Sequence, residues 1–306
     1  MMTDTNVPYS DLRDPAAVLE ALANGLDTLS PEARKAATYV IENPNDVGVS
    51  SIREIAEAAD VKPNTFVRLA RSFGFEGYDE FRVPFREEIR RGNASFPDRA
   101  RWLQSLSANG QLGALFSDMA ESALRNIEET FAATSEAQIK AAADAIVAAR
   151  KTYVLGVGVH HSNARNFAYL ADMAVGKIEA IPRPGNVAVD DLAGAGKGDV
   201  LIAMTCKPYR QEIVEAVTIA REQGVTVIGL SDSAASPIVI GSEHGFVVSA
   251  DTPQFFPSSV SIIALLETLM AFVIADAKPE VIERIDTFHA RRHRLGLYVS
   301  DDGNRK

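Results

Sequence analysis

After Lys151 the chain alternates short apolar runs with helical stretches, and this rhythm limits the fold more than any other feature of the sequence. Apolar runs at 152–157, 199–204, 226–230 and 246–249 are separated by helical patterns at 163–175 and 211–223, and another follows at 260–275. Such alternation predicts βαβ units, and therefore a parallel sheet with helices covering both faces. The first half shows no such runs and reads as all-helical. The expected fold class is thus α/β, with an all-α N-terminal domain ahead of an α/β/α parallel-sheet domain.

Helix signals in the first half are explicit. Ser30-Pro31-Glu32 supplies an N-cap and a first-turn proline ahead of Ala33, Ala36, Ala37, Val40 and Ile41 at helical spacing, and Asn43-Pro44 ends that pattern. A second helix opens on the capping box Ser51-x-x-Glu54. A third is expected over 63–73, closed by Gly74 and Gly77. Residues 52–71 have the spacing of a helix-turn-helix, with Ile55, Ala59, Val61, Phe66 and Leu69 filling the interface. Ala56 is small where the backbones approach, and Asp60 stands at the turn, where a left-handed residue is needed. Any αα-hairpin shares these apolar spacings, so charge has to decide. The chain carries a net charge of −10, yet 62–75 contains Lys62, Arg68 and Arg71 and no acid, which is a local basic face. The second helix of such a unit turns its N-terminal residues to base edges. Asn64 suits adenine and Arg68 guanine; Thr65 suits a phosphate or a thymine methyl; Lys62, Arg71 and Ser51 suit phosphates.

The pattern lapses between Gly92 and Arg101, which reads as a linker, and two long amphipathic helices follow at 113–132 and 136–149. The expected domains are 15–92 for DNA binding, 93–135 for linker and connecting helices, 136–285 for the parallel-sheet domain, and 286–306 for a basic tail. No apolar run reaches the roughly 20 residues of a membrane span. The stretch 1–14 lacks the layout of a signal peptide, and a single cysteine, Cys206, fits a reducing compartment. These features make the cytoplasm the expected location and leave no role for a membrane.

The segment 51–81 resembles the N-terminal domain of the RpiR/MurR-type transcription regulators. The resemblance rests on Ile52-Arg53-Glu54-Ile55-Ala56-Glu57-Ala58-Ala59, on Thr65-Phe66-Val67-Arg68-Leu69-Ala70-Arg71, and above all on Gly74-Phe75-Glu76-Gly77-Tyr78-Asp79-Glu80-Phe81. Lys62-Pro63 departs from the family's usual Ser-Pro and loses an N-cap hydroxyl. The resemblance implies a sugar isomerase (SIS) domain in the second half, and 142–276 is similar to one.

Three loops carry the ligand expectations. Gly156-Val157-Gly158-Val159-His160-His161-Ser162 resembles the first ligand loop of SIS domains, with glycines that admit a ligand and a helix start that favours anions. It is also similar in part to a dinucleotide loop, but position 161 is His where a third glycine is wanted. The second loop, Thr205-Cys206-Lys207-Pro208-Tyr209-Arg210-Gln211-Glu212, stands where the family has a Ser-x-Ser-Gly-x-Thr phosphate loop. Pro208 has no N–H, so backbone cradling of a phosphate is impaired. Lys207 and Arg210 offer charge instead, and Tyr209 a surface for stacking. Ser231 and Ser258 come from the third loop and from the approach to the last apolar helix.

His160, His161, Glu212 and Glu267 are the only bases near these loops, and their arrangement does not suggest catalysis. His289-x-x-x-His293 has metal-ligand spacing but lies in a cationic run. The sequence therefore predicts a regulator that binds double-stranded DNA as a homodimer or homotetramer. Its expected effector is a small carbohydrate, sugar acid or phosphosugar, with no catalytic residue, metal or cofactor. The alternatives are a sugar-phosphate isomerase with an accessory helical domain, and an adaptor with both sites inactive.

Overall fold

The computed structural model describes residues 14–90 and 94–298 and divides into two compact units. The first comprises residues up to Ala123 together with Asp251–Ser258; the second comprises Leu124–Ala250 and the chain from Ser259 onward.

Helices α1 (Pro15–Gly25), α2 (Pro31–Glu42), α3 (Pro44–Val49), α4 (Ile52–Ala58), α5 (Pro63–Ser72), α6 (Tyr78–Phe81) and α7 (Val83–Arg90) build the first unit. Proline occupies the first turn of α1, α2, α3 and α5, where its missing N–H costs nothing. One core joins Val18, Leu22, Ala36, Ala37, Val40, Ile55, Phe66, Leu69 and Phe81. The resemblance-bearing stretch after α5 is structural: Phe75 meets Phe81 edge-on at 5.2 Å, and Tyr78 meets Phe66 at 6.0 Å. Arg82 is buried and donates to the carbonyls of Val47, Gly48 and Ser50, groups that the end of α3 would otherwise leave unpaired.

Asn43-Pro44 ends α2 as expected, and Pro44 also opens α3. One expectation needs correction. The expected linker 92–101 contains the start of α8 (Phe96–Ala108), capped by Ser95, whose hydroxyl accepts from Asp98 N at 3.3 Å. Residues 92 and 93 of that stretch lie outside the described residues. Helix α9 (Leu112–Ala132) then leads into the second unit.

The second unit holds α10 (Glu136–Ala148), β1 (Thr152–Leu155), α11 (His160–Ala174), β2 (Ile178–Ile181), α12 (Ala188–Asp191), β3 (Val200–Met204), α13 (Gln211–Glu222), β4 (Thr226–Ser231), β5 (His244–Val247), α14 (Val260–Ala275) and α15 (Glu280–Arg294). Its five strands are parallel in the order β2-β1-β3-β4-β5. Alternate residues serve opposite faces. Val154, Ile202, Ile228 and Phe246 pack with α10, α11 and α14, while Tyr153, Leu201 and Val227 pack with α12 and α13. The expected α/β/α sandwich is therefore present. The edge strand β2, four residues with a half-polar middle, is the one strand that apolar runs did not reveal.

The stretch 286–306, expected as a basic tail, begins inside α15, whose last turn carries Arg291, Arg292 and Arg294. Its end beyond residue 298 lies outside the described residues, as do residues 1–13. Among the described residues no single helix is long and apolar enough to cross a membrane, and no group of three or more His, Cys, Asp or Glu is placed to hold a metal ion.

Candidate DNA-binding face and ligand loops

In the first unit, α4 and α5 form the expected helix-turn-helix. Asp60 adopts φ 51° at the turn, and Val61 N donates to Ala56 O at 2.9 Å. A non-glycine residue in this left-handed region is strained, and Asp bears it better than most. Its carboxylate meets Lys35 Nζ at 3.1 Å, on the surface.

Helix α5 has two faces. Phe66, Leu69 and Ala70 point into the core, whereas Lys62, Asn64, Arg68 and Arg71 are exposed. Among the described residues no hydrogen bond or ion pair holds the side chains of Lys62, Asn64 or Arg68, which leaves them available to a ligand; Arg71 Nε donates to Glu76 O at 3.1 Å. One assignment changes. Thr65 is only 3 % exposed, so it belongs to the inner face and not to the surface that would meet a base. Ser51 is exposed and caps α4: its hydroxyl accepts from Glu54 N at 3.3 Å while Glu54 Oε2 accepts from Ser51 N at 2.6 Å. Hydrogen bonds from Ser51 to the carboxylate hold Glu54 below its ordinary pKa, and the Ser51 hydroxyl keeps its own proton to donate. Arg53, exposed on the first turn of α4, is a cation that the expected site omitted.

Lys62 is the N-cap of α5 and makes no side-chain cap bond. Lys62→Ser should therefore raise the stability of the unit by about 1 kcal/mol while weakening binding to DNA of every sequence. Denaturant titration and a salt series of DNA affinities check the two halves.

In the second unit, three loops leave the carboxyl ends of β1, β3 and β4. Gly156 is buried because the chain enters α11 at once: a Cβ there would overlap the carbonyl oxygen of His160. Gly158 is exposed at φ +59°. His160 is 8 % exposed, pairs through Nδ1 with Asn163 Nδ2 at 3.3 Å, and is pushed down to about 4 by burial, so its imidazole is neutral at neutral pH. His161 is half-buried, and Ser162 Oγ donates to Val159 O at 3.0 Å.

The β3 and β4 loops are tied to each other. Ser231 is fully buried and its hydroxyl donates to Thr205 O at 2.6 Å, so it joins the loops and does not face solvent. Thr205 is 1 % exposed, and its Oγ1 accepts from Arg210 N at 3.3 Å. Lys207 N donates to Asp232 Oδ2 at 3.3 Å. Arg210 is paired through Nε and Nη2 with Glu212 on the first turn of α13. Lys207 is exposed; Tyr209 is half-buried, with its Oη shut from solvent and unpartnered. Asp232 was missed by sequence reasoning, although an acid directly after a strand end was there to be noticed. Cys206 is buried, which pushes its thiol up to about 12. Ser258 belongs to the segment assigned to the first unit.

Comparison with known proteins agrees with both halves. Residues 16–92 match the family described as a helix-turn-helix domain of the rpiR family, and residues 145–275 match the SIS domain. The chain is 25 % identical over 253 residues to the HTH-type transcriptional regulator HexR of Pseudomonas aeruginosa, covering 81 % of this chain and 85 % of that one. Among solved structures, the Vibrio vulnificus NanR protein complexed with ManNAc-6P matches with a TM-score of 0.53 at 20 % identity, over 91 % of this chain and 99 % of that one. The sugar isomerase domain of an RpiR transcription factor from Sphaerobacter thermophilus matches with a TM-score of 0.53 at 24 % identity, over 59 % and 99 %. With an rpiR-type helix-turn-helix followed by a SIS sandwich, the chain belongs to the RpiR family of DNA-binding transcription regulators.

Proposed function

We propose that the chain recognises a two-fold symmetric operator as a cytoplasmic homodimer or homotetramer, and that a small carbohydrate-type effector bound at the carboxyl ends of β1, β3 and β4 alters its affinity for that DNA. The observation that carries the reading is the outer face of α5, where Lys62, Asn64 and Arg68 stand exposed and unpaired while the opposite face is core. Unpaired cations on a helix of this placement suit phosphates and guanine edges. The ligand in the Vibrio vulnificus NanR complex, ManNAc-6P, is a phosphorylated sugar derivative, which favours a carbohydrate over other effectors. Open α/β sheets bind ligands at the carboxyl ends of their strands, where these loops gather.

The chain acts as a sensor and not as an isomerase. His160 is buried and its imidazole is neutral at neutral pH, and Glu212 is engaged by Arg210. Enzymatic proton transfer asks for a base that can reach the substrate and titrate near the working pH.

Arg68→Ala is expected to cost about 1–3 kcal/mol of specific affinity and to relax the base preference at one operator position. Selection of genomic fragments by the wild-type protein, followed by anisotropy titrations of the enriched sequence, measures both. If no sequence is enriched, the operator reading is lost; if one is enriched and Arg68→Ala binds it as well as the wild type, Arg68 does not read a base.

A further inference from the structure

The loops that would receive the effector hold their own donors and charges in balance. In the loop after β3, the N–H of Lys207 is taken by the Asp232 carboxylate at 3.3 Å, that of Arg210 by Thr205 Oγ1 at 3.3 Å, and Pro208 has none. The Arg210 guanidinium faces Glu212. Arg210 is thus matched by Glu212, whereas Asp232 takes only the backbone N–H of Lys207, and no cation lies within ion-pair distance of Asp232 among the described residues. A phosphate dianion brought to the amide of Lys207 would have to displace a carboxylate of its own sign, at a distance where like charges repel strongly. His160, at the start of α11, adds no positive charge at neutral pH.

The same loops carry hydroxyl chemistry. Tyr209 Oη, after β3, is buried and has no partner, on a side chain that is itself half-buried. Buried hydroxyls without partners are uncommon and costly, and they are met most simply by groups that both donate and accept. Carboxylates such as Asp232 and Glu212 accept hydrogen bonds from hydroxyls, as sugars require.

Resting on the regulator reading above, we infer that this site takes an unphosphorylated, uncharged sugar or polyol, with the Asp232 carboxylate standing where a phosphate loop would present amides to an anion. The ligand's hydroxyls donate to Asp232, and the exposed Lys207 ammonium donates to a ligand oxygen without needing an anion.

The test uses the full-length chain and calorimetry with matched pairs: glucose and glucose 6-phosphate, N-acetylmannosamine and its 6-phosphate, mannitol and mannitol 1-phosphate, with inorganic phosphate as the bare probe. The expected result is saturable binding of an unphosphorylated member and weaker or no binding of its phosphate ester. Inorganic phosphate should bind Asp232→Asn roughly tenfold more tightly than the wild type, because a like charge has been removed. Glu212→Gln, at an exposed position that tolerates change, should gain in the same direction and guards against misfolding of the first variant. Tighter binding of phosphate esters than of their parent sugars overturns the inference, and so does an unchanged phosphate affinity in both variants. DNA binding by the free wild-type protein is followed alongside. Its absence defeats the regulator reading, whereas DNA binding with release by a phosphate ester keeps that reading and defeats this inference alone.

Discussion

Phe66→Ala is expected to destabilise the first unit by about 3–5 kcal/mol, the usual cost of emptying a buried aromatic site. Phe66 is fully buried and lies on the inner face of α5, where it meets Tyr78 edge-on and shares a core with Ile55 and Leu69. Its loss opens a cavity between the helix that carries Arg68 and the helices that hold it in place. A domain of this size has only about 5–15 kcal/mol to lose. DNA binding should therefore vanish at a temperature where the second unit is still folded. Calorimetry should show the low-temperature transition moving down while the transition of the sheet unit stays; a single unmoved transition would refute the placement of Phe66.

Gly156→Ala should cost less stability but should abolish the effector response, for a reason that hydrophobicity does not supply. A Cβ at position 156 overlaps the carbonyl oxygen of His160, and Ala164 Cβ lies 3.1 Å away, so the first turn of α11 would have to leave the end of β1. Forced overpacking of this kind costs about 1–3 kcal/mol. It also displaces the loop from which Gly158, His161 and Ser162 would meet a ligand. The expected outcome is a modest fall in melting temperature with loss of the effector response and retention of DNA binding by the free protein. A variant that keeps its effector response would show that the β1 loop lies outside the ligand site.

The sequence made some elements plain and hid others, for physical reasons that can be named. The central strands β1, β3 and β4 are buried on both faces, so they appear as unbroken apolar runs, and α14 is apolar for the same reason. Edge strand β2 reads Ile-Glu-Ala-Ile and has solvent on one side, which erased the signal. Helix α8 lay behind Ser95, Pro97 and Asp98, all of which look like loop residues until Ser95 is seen to cap the helix. In and before α5, charge and spacing were enough to single out Lys62, Asn64, Arg68 and Arg71, each of which is exposed. Thr65 went astray because helical periodicity cannot say how wide the buried stripe is. The ligand loops were the least legible part. That Ser231 is buried, that Arg210 is matched by Glu212, and that Asp232 holds the amide of Lys207 are facts about packing and neighbours, which no local pattern contains.

The excursion of the chain between Ala250 and Ser259 bears on how the protein is made. Arg99 of α8 is 1 % exposed, and its Nη2 donates to the carbonyl of Thr252 at 2.6 Å; Phe96 stacks on Phe256 at 4.9 Å. Burial pulls the Arg99 guanidinium below its ordinary pKa, so until Thr252 arrives that side chain has strong reason to stay in water. Synthesis runs from the N-terminus, and residue 252 leaves the ribosome 153 positions after residue 99. The DNA-binding half can gather its seven small helices early, but α8 cannot bury its arginine until most of the sheet sequence has been translated. A nascent chain halted before residue 251 would leave Arg99 and Phe96 of α8 without these partners, and the first unit would reach its finished form only after residue 256 emerges.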